Sequence, residues 1–205
     1  MAIDLKKTDV VIVGLGAVGG VAALPLARAG LDVIGLEAGT WLSPRDFAPD
    51  ELRNNFRGWP QSAQKANGEI PTHRPSASAP YSPRFPIHPM MNAVGGTTLH
   101  YWAQSWRLNP WDFKVVSETT RRYGAARIPK GSTPSTHAYG GTRMGDNRET
   151  NVVNRFGFSH EVPNLGVLGA SVMGTSGAHN PTLTAQTLAW RTAEHLTKNW
   201  KTIAN

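Results

Sequence analysis

Two apolar runs of four residues, Val10–Val13 and Val33–Leu36, enclose a stretch of small and apolar residues from Val21 to Ala29 that carries no charge until Arg28. Strand, helix and strand in this order predict a β-α-β unit and place the chain in the α/β class. Beyond Gly39 both periods fade. A short helix is expected over Ala48–Phe56, followed by a passage rich in Pro, Ser and His that runs to Met91. A passage of that length without its own elements is expected to be a functional excursion or to lean on another surface. Phe113–Tyr123 reads as a basic helix, Gly124–Pro134 as a linker, and Gly174–Ala178 as a loop. Asn151–Phe156 and Asn164–Met173 read as weak strands. The strongest helical period comes last: Ala185, Leu188, Ala189, Thr192, Ala193 and Leu196 fall on one stripe. Asn180 stands where an N-cap is favoured and Pro181 at the first helical position. No internal repeat is present.

The junction of the first run with its helix sharpens the picture. Gly14, Gly16 and Gly19 follow the strand in the spacing G-x-G-x-x-G, and Glu37 ends the second strand. In a dinucleotide fingerprint the first glycine makes the tight turn and the second admits the pyrophosphate. The third lets helix and strand pack closely, and the acid accepts ribose hydroxyls. The helix N-terminus adds unpaired N–H groups and partial positive charge. The alternative is a glycine-rich turn of an ordinary β-α-β unit. The full context, with both strands and the acid in place, favours nucleotide binding.

Composition narrows this further. The 205 residues suffice for one domain or two small ones, but hydrophobic residues are only 40% beside 21 glycines and 15 prolines, so much of the chain must be loop. Having no cysteine, the chain forms neither disulfides nor thiolate metal sites, and its histidines show no metal-ligand spacing. No apolar run approaches a membrane span, and the polar lead before Val10 lacks the apolar core of a signal peptide. The net charge of +7 draws on a basic stretch holding Arg107, Lys114, Arg121, Arg122, Arg127 and Lys130. No nucleic-acid motif accompanies it, so a solvated face or a patch for an acidic partner is expected rather than nucleic acid.

Two further stretches carry chemistry. Asn92–Leu108 contains Gly95-Gly96-Thr97-Thr98, which permits close backbone approach, then Tyr101, Trp102 and Trp106. Taken alone it reads equally as a core segment with a glycine bend. Ser135-Thr-His-Ala-Tyr-Gly-Gly-Thr-Arg-Met-Gly145 sets His137 in a glycine-rich loop, where an imidazole can act as base and acid or simply bond the backbone. His73, His88, His100, His160 and His195 have no constellation around them and read as surface or loop residues.

Together, Val10–Gly39, Asn92–Leu108 and Ser135–Leu196 resemble the glucose–methanol–choline (GMC) family of flavin oxidoreductases, and within it the large subunits of bacterial gluconate and sugar dehydrogenases. The last block is the most specific, with Pro163-Asn-Leu-Gly-Val-Leu-Gly-Ala-Ser-Val-Met173 and Asn180-Pro-Thr-Leu-Thr184 following the His137 motif. The resemblance implies a Rossmann-like FAD-binding fold and oxidation of an alcohol, a sugar or sugar acid, by hydride transfer to flavin N5. It implies His137 as the base, Asn180 as a second hydrogen-bonding group on the same oxygen, and Gly95, Gly96, Thr97 and Thr98 as flavin-contacting residues. His179 lies one position off the family register. Bound FAD, a cytochrome or small partner subunit, and either a cytoplasmic location or export with that partner are also implied.

The chain departs from the family in one respect. The family places a long region between its flavin loop and its histidine block, whereas Leu108 and His137 are under thirty residues apart here. The sequence reads as shortened near Thr133–Pro134, with most of the substrate domain absent. Residues 1–133 would form an FAD-binding segment, and residues 134–205 would complete it and carry the active-site residues. The expected costs are a substrate pocket missing a wall, a sheet with unpaired edges and exposed apolar surface, and weaker FAD binding. Two functions follow: a flavin-dependent dehydrogenase, or a non-catalytic nucleotide-binding or interaction module of the same family.

Overall fold

The structure, a computed structural model, describes residues 7–47, 72–73, 78, 80, 82–83, 91–99, 137, 139–174 and 180–204. The expected helices over Ala48–Phe56 and Phe113–Tyr123, the linker Gly124–Pro134, and the basic stretch lie outside these residues. The chain divides into two compact units: Met1–Gly20 with Leu31–Ala103, and Val21–Gly30 with Gln104–Asn205. Among the described residues no helix is long and apolar enough to cross a membrane.

The first unit is built on β1 (Val10–Val13) and β2 (Val33–Leu36), paired in parallel with Val10 opposite Val33 and Val13 opposite Leu36. Between them runs α1 (Ala17–Arg28), which contributes its first turn to this unit and the rest to the second. The helix starts four residues before the expected Val21 and takes in Gly19 and Gly20, both poor helix formers. Packing overrides propensity here, because a side chain at Gly19 would collide with the Gly14 carbonyl and reach within 3.1 Å of Ile12 Cγ2. Ile12 is buried, whereas Val11, Val13 and Leu36 are exposed, Val13 to 83%. Parallel sheets ordinarily bury both faces. The described part of this one does not.

After β2, Ser43 caps a 3-10 turn at Pro44–Asp46 in a reciprocal capping box. The expected excursion holds a minimal antiparallel ladder, β3 (Thr72–His73) with β4 (Ser82–Pro83).

In the second unit, α2 (Thr182–Lys198) is followed by a single turn, α3 (Trp200–Ile203). The expected stripe is the buried one: Ala185, Ala189, Thr192 and Ala193 face inward. Two expected strands are corrected. Asn151–Phe156 makes no strand, because the Asn154 Oδ1 accepts from the N–H groups of both Phe156 and Phe158 and turns the chain. Asn164–Met173 makes one bridge, Phe158 with Gly166. Gly169 at φ 111° then breaks the extended path into a 3-10 turn, Ala170–Val172. Asn180 as a helix cap is corrected too. Thr182 begins α2, Pro181 occupies the cap position and no side-chain cap bond is made there, while the Asn180 amide engages His137.

Candidate active site

The first cluster of site residues is assembled by main chain. Gly14, at φ 88°, adopts a conformation that favours glycine, and its N–H donates to the Leu36 carbonyl at 2.7 Å. The segment 91–99 lies alongside it. Gly95 N–H donates to the Leu15 carbonyl at 2.8 Å, and Gly16 bridges Gly95 in parallel. Gly96 sits so close that a Cβ would come within 2.9 Å of the Gly16 Cα. The structure thus brings Gly14, Gly16 and Gly19 together with Gly95 and Gly96, although the two sets are far apart in sequence.

Thr97 and Thr98 fall in the 3-10 turn Gly96–Leu99 and staple the loop. Thr97 Oγ1 accepts from Met91 N–H at 3.2 Å, and Thr98 Oγ1 donates to the Gly95 carbonyl at 2.5 Å. Glu37 faces the same turn. Its Oε2 accepts from Leu15 N–H at 2.7 Å and its Oε1 from Gly39 N–H at 3.1 Å. A carboxylate has about four acceptor positions, so these bonds leave capacity for further donors.

One residue of this cluster is missed by sequence reasoning. At Gly39 a Cβ would overlap the Asn92 carbonyl, and the adjoining Thr40 bridges Ala93 while accepting from Val94 N–H at 3.1 Å. Only the end of β2 marked the position, and the partner strand segment carried no periodicity.

The second cluster is assembled through the loop that follows His137. Gly140, Thr142 and Met144 donate their N–H groups to Ala170, Ser171 and Val172 at 3.3, 2.9 and 2.9 Å, and Thr142 Oγ1 donates to Ser171 Oγ at 2.8 Å. The turn Ala170–Val172 packs against α2, and Asn180 lies just ahead of that helix. His137 Nε2 lies 3.1 Å from Asn180 Oδ1. His137 is exposed and Asn180 half-buried.

Behind this pair, Gly157 approaches α2 so closely that a Cβ would lie 2.9 Å from Thr192 Oγ1. Two histidines read as unremarkable have structural work instead. His160 Nε2 meets the Gly145 carbonyl at 2.9 Å. His195 stacks on Phe156 with ring centroids 3.7 Å apart and planes 3° from parallel, and Arg191 lies 4.9 Å over the Phe156 ring. Burial, then the charges of Arg191 and Lys198, lower the pKa of His195 below its ordinary value. The signal for this cluster, Phe156 and Phe158 on a loop and His195 on a helix, has no sequence period.

Comparison with known proteins places the second cluster in a family. A family model described as GMC oxidoreductase matches residues 86–189, just over half of the chain and including both His137 and Asn180. The chain is 33% identical over 142 residues to the gluconate 2-dehydrogenase flavoprotein of Pantoea cypripedii, covering 65% of this chain and 22% of that protein. It is 34% identical over 143 residues to the fructose dehydrogenase large subunit of Gluconobacter japonicus, covering 62% and 24%. With 2-methyl-1,2-propanediol dehydrogenase of Mycolicibacterium austroafricanum it shares 38% identity over 72 residues, covering 35% and 13%. The chain belongs to the GMC oxidoreductase family and spans less than a quarter of the length of these relatives.

Proposed function

We propose that this chain carries the FAD-binding turn and the proton-handling pair of a dehydrogenase that oxidises a hydroxyl group of a sugar or sugar acid. The observation that carries this reading is the His137–Asn180 pair, held at 3.1 Å within the stretch that matches the family. The dehydrogenases named for gluconate and fructose supply the substrate class. In this reading β1-α1-β2 is the core of a Rossmann-like FAD fold. Residues 1–133 form the FAD segment, and residues 134–205 complete it.

The residues fit the group. Gly14 at φ 88° and the close approach of Gly16 to Gly96 form a side-chain-free cradle suited to a pyrophosphate, and the N-terminus of α1 follows it. Gly14, Gly16, Gly19, Gly95, Gly96, Thr97 and Thr98 would hold FAD, and Glu37 would accept the ribose hydroxyls with its remaining lone pairs. FAD, when bound, supplies the two-electron acceptor for the hydride. His137 takes the hydroxyl proton, a role worth about 10²- to 10⁴-fold in rate. Asn180 holds the same oxygen, and the N-terminus of α2 beyond it favours the negative charge that develops there. A smaller subunit and a cytochrome would complete the assembly; the Gluconobacter japonicus relative is itself named a large subunit.

The test is anaerobic mixing of the FAD-loaded chain with D-gluconate or D-fructose. Bleaching of the flavin absorbance, slowed about a hundredfold or more in His137→Ala, is the expected result. A chain that holds flavin and is bleached by neither would contradict the enzyme reading. That outcome would select the second reading, a nucleotide-binding or interaction module. The second reading is favoured by one observation, the exposed apolar face of Val11, Val13 and Leu36.

A further inference from the structure

We infer that Trp41 is the surface on which the adenine ring of the bound dinucleotide stacks. This rests on the reading of the glycine turn as an FAD site. It extends that site past Glu37 to a residue outside the fingerprint.

Trp41 is 78% exposed, more than any other large apolar side chain among the described residues except Val13. An indole offers one of the largest apolar areas of any side chain, and aromatic side chains of this size dominate contact energetics where they are covered. The backbone is held on both sides of it. On one side Thr40 bridges Ala93 in parallel, and its carbonyl accepts from Val94 N–H at 3.1 Å. Gly39, one step earlier, abuts the Asn92 carbonyl so closely that no Cβ fits. On the other side Ser43 and Asp46 close their reciprocal capping box. Only Trp41 and Leu42 lie between these two anchors. The indole is therefore presented from a fixed backbone.

Its place in the sheet points to what covers it. β1 and β2 are parallel, so the glycine turn after β1 and the loop after β2 leave the sheet at the same end. Open α/β sheets bind their ligands at that end. Glu37 links the two loops. Its Oε2 accepts from Leu15 N–H at 2.7 Å, within the glycine turn, and its Oε1 from Gly39 N–H at 3.1 Å, two residues before Trp41. Two residues of chain span at most about 7 Å, which keeps the indole within a nucleoside's reach of the carboxylate.

The ligand runs in the same order as these residues. With the pyrophosphate at Gly14 and Gly16 and the ribose hydroxyls on Glu37, the base carried by that ribose is the next group out. Adenine is a flat ring with a π face, and an aromatic side chain stacks on such a face without needing a matched hydrogen bond. The flavin hangs from the opposite end of the pyrophosphate. The contribution of Trp41 should therefore follow adenine and not flavin.

The experiment is titration calorimetry of the full 205-residue chain, Trp41→Ala and Trp41→Phe with FAD and with ADP, which keeps adenine, ribose and pyrophosphate but lacks flavin. Because the indole is exposed, both variants should keep the melting midpoint of the unaltered chain. Trp41→Ala should weaken FAD and ADP binding by the same factor, about tenfold, and Trp41→Phe should recover most of the loss. A second measurement needs no variant. Saturating ADP should protect Trp41 of the unaltered chain from oxidation by N-bromosuccinimide, read by peptide mass spectrometry. Equal FAD affinity in the unaltered chain and Trp41→Ala would overturn the inference. So would a loss confined to FAD, binding of FAD without ADP, or a Trp41 that ADP leaves unprotected. Each of these would leave the FAD reading standing. An unaltered chain that binds neither nucleotide would remove that reading, and this inference with it.

Discussion

Near the glycine turn, segments 14–19, 37–40 and 91–99 approach through main chain, so closely that a single added carbon at Gly19, Gly39 or Gly96 meets backbone. Near His137, segments 137–145, 154–172 and α2 are joined by side chains and loop hydrogen bonds, with Val153 and Val172 at the centre of the packing. At these three positions the first region admits no added volume, and its closest approaches are made by residues that have no side chain. The second depends on the side chains it has. A cradle for a phosphate group needs exposed N–H groups at short range, which glycines allow. A proton-transfer pair needs two oriented side chains, which only a packed framework provides.

The contrast can be broken most severely at Gly39. Gly39→Ala should destabilise the chain by about 3 kcal/mol in urea unfolding, because Asn92 and Ala93 must move to admit the methyl group. The control lies in the same region. Gly20 sits in α1 with nothing within 4 Å of its would-be Cβ, and Gly20→Ala should stabilise the chain by about 0.5–1 kcal/mol. Equal effects at both positions would mean that close packing does not distinguish them.

In the second region, removal of volume is the corresponding perturbation. Val153 is fully buried, and Val153→Ala should cost about 2 kcal/mol in the same assay, whereas the exposed Val13→Ala should cost little.

A smaller effect sharpens the picture by pH. Burial first, then Arg191 and Lys198, hold the folded His195 below its ordinary pKa of about 6.5, while Phe156 and Phe158 face its ring. The unfolded chain therefore binds this proton more readily than the folded one. The stability tied to His195 is complete above pH 6.5 and declines as pH falls below it. His195→Phe keeps an aromatic ring on Phe156 and should flatten the decline in thermal melts between pH 7 and about 5. An undiminished slope would place its origin elsewhere.

The smallest effect belongs to Asp146 and Arg155. The Arg155 guanidinium bonds the Asp146 carboxylate and lowers its pKa, yet both side chains are about 60% exposed. Asp146→Asn should leave the melting midpoint at neutral pH unchanged within error, at low and high salt alike.

These differences also explain what could be read in advance. β1, β2 and the buried stripe of α2 follow directly from apolar period, and α1 starts ahead of its apolar stretch because Gly19, a poor helix former, is required by its close packing on Gly14 and Ile12. The expected strands Asn151–Phe156 and Asn164–Met173 do not form because Asn154 turns the first segment and Gly169 at positive φ bends the second, features that leave no mark on the apolar pattern. The fingerprint glycines were visible because their spacing is local. The meeting of His137 with Asn180 was not, since 43 residues separate them and only the family resemblance singled out both. The role of Gly39 was hidden because its partner, Asn92, lies in a segment with no period of its own.

The proposed binding of FAD at the glycine turn is tested most directly by the absorbance spectrum of the purified chain, recorded before and after incubation with FAD and desalting. Flavin bands that survive desalting and are lost in Gly14→Val are expected. A colourless protein that retains no flavin would contradict it.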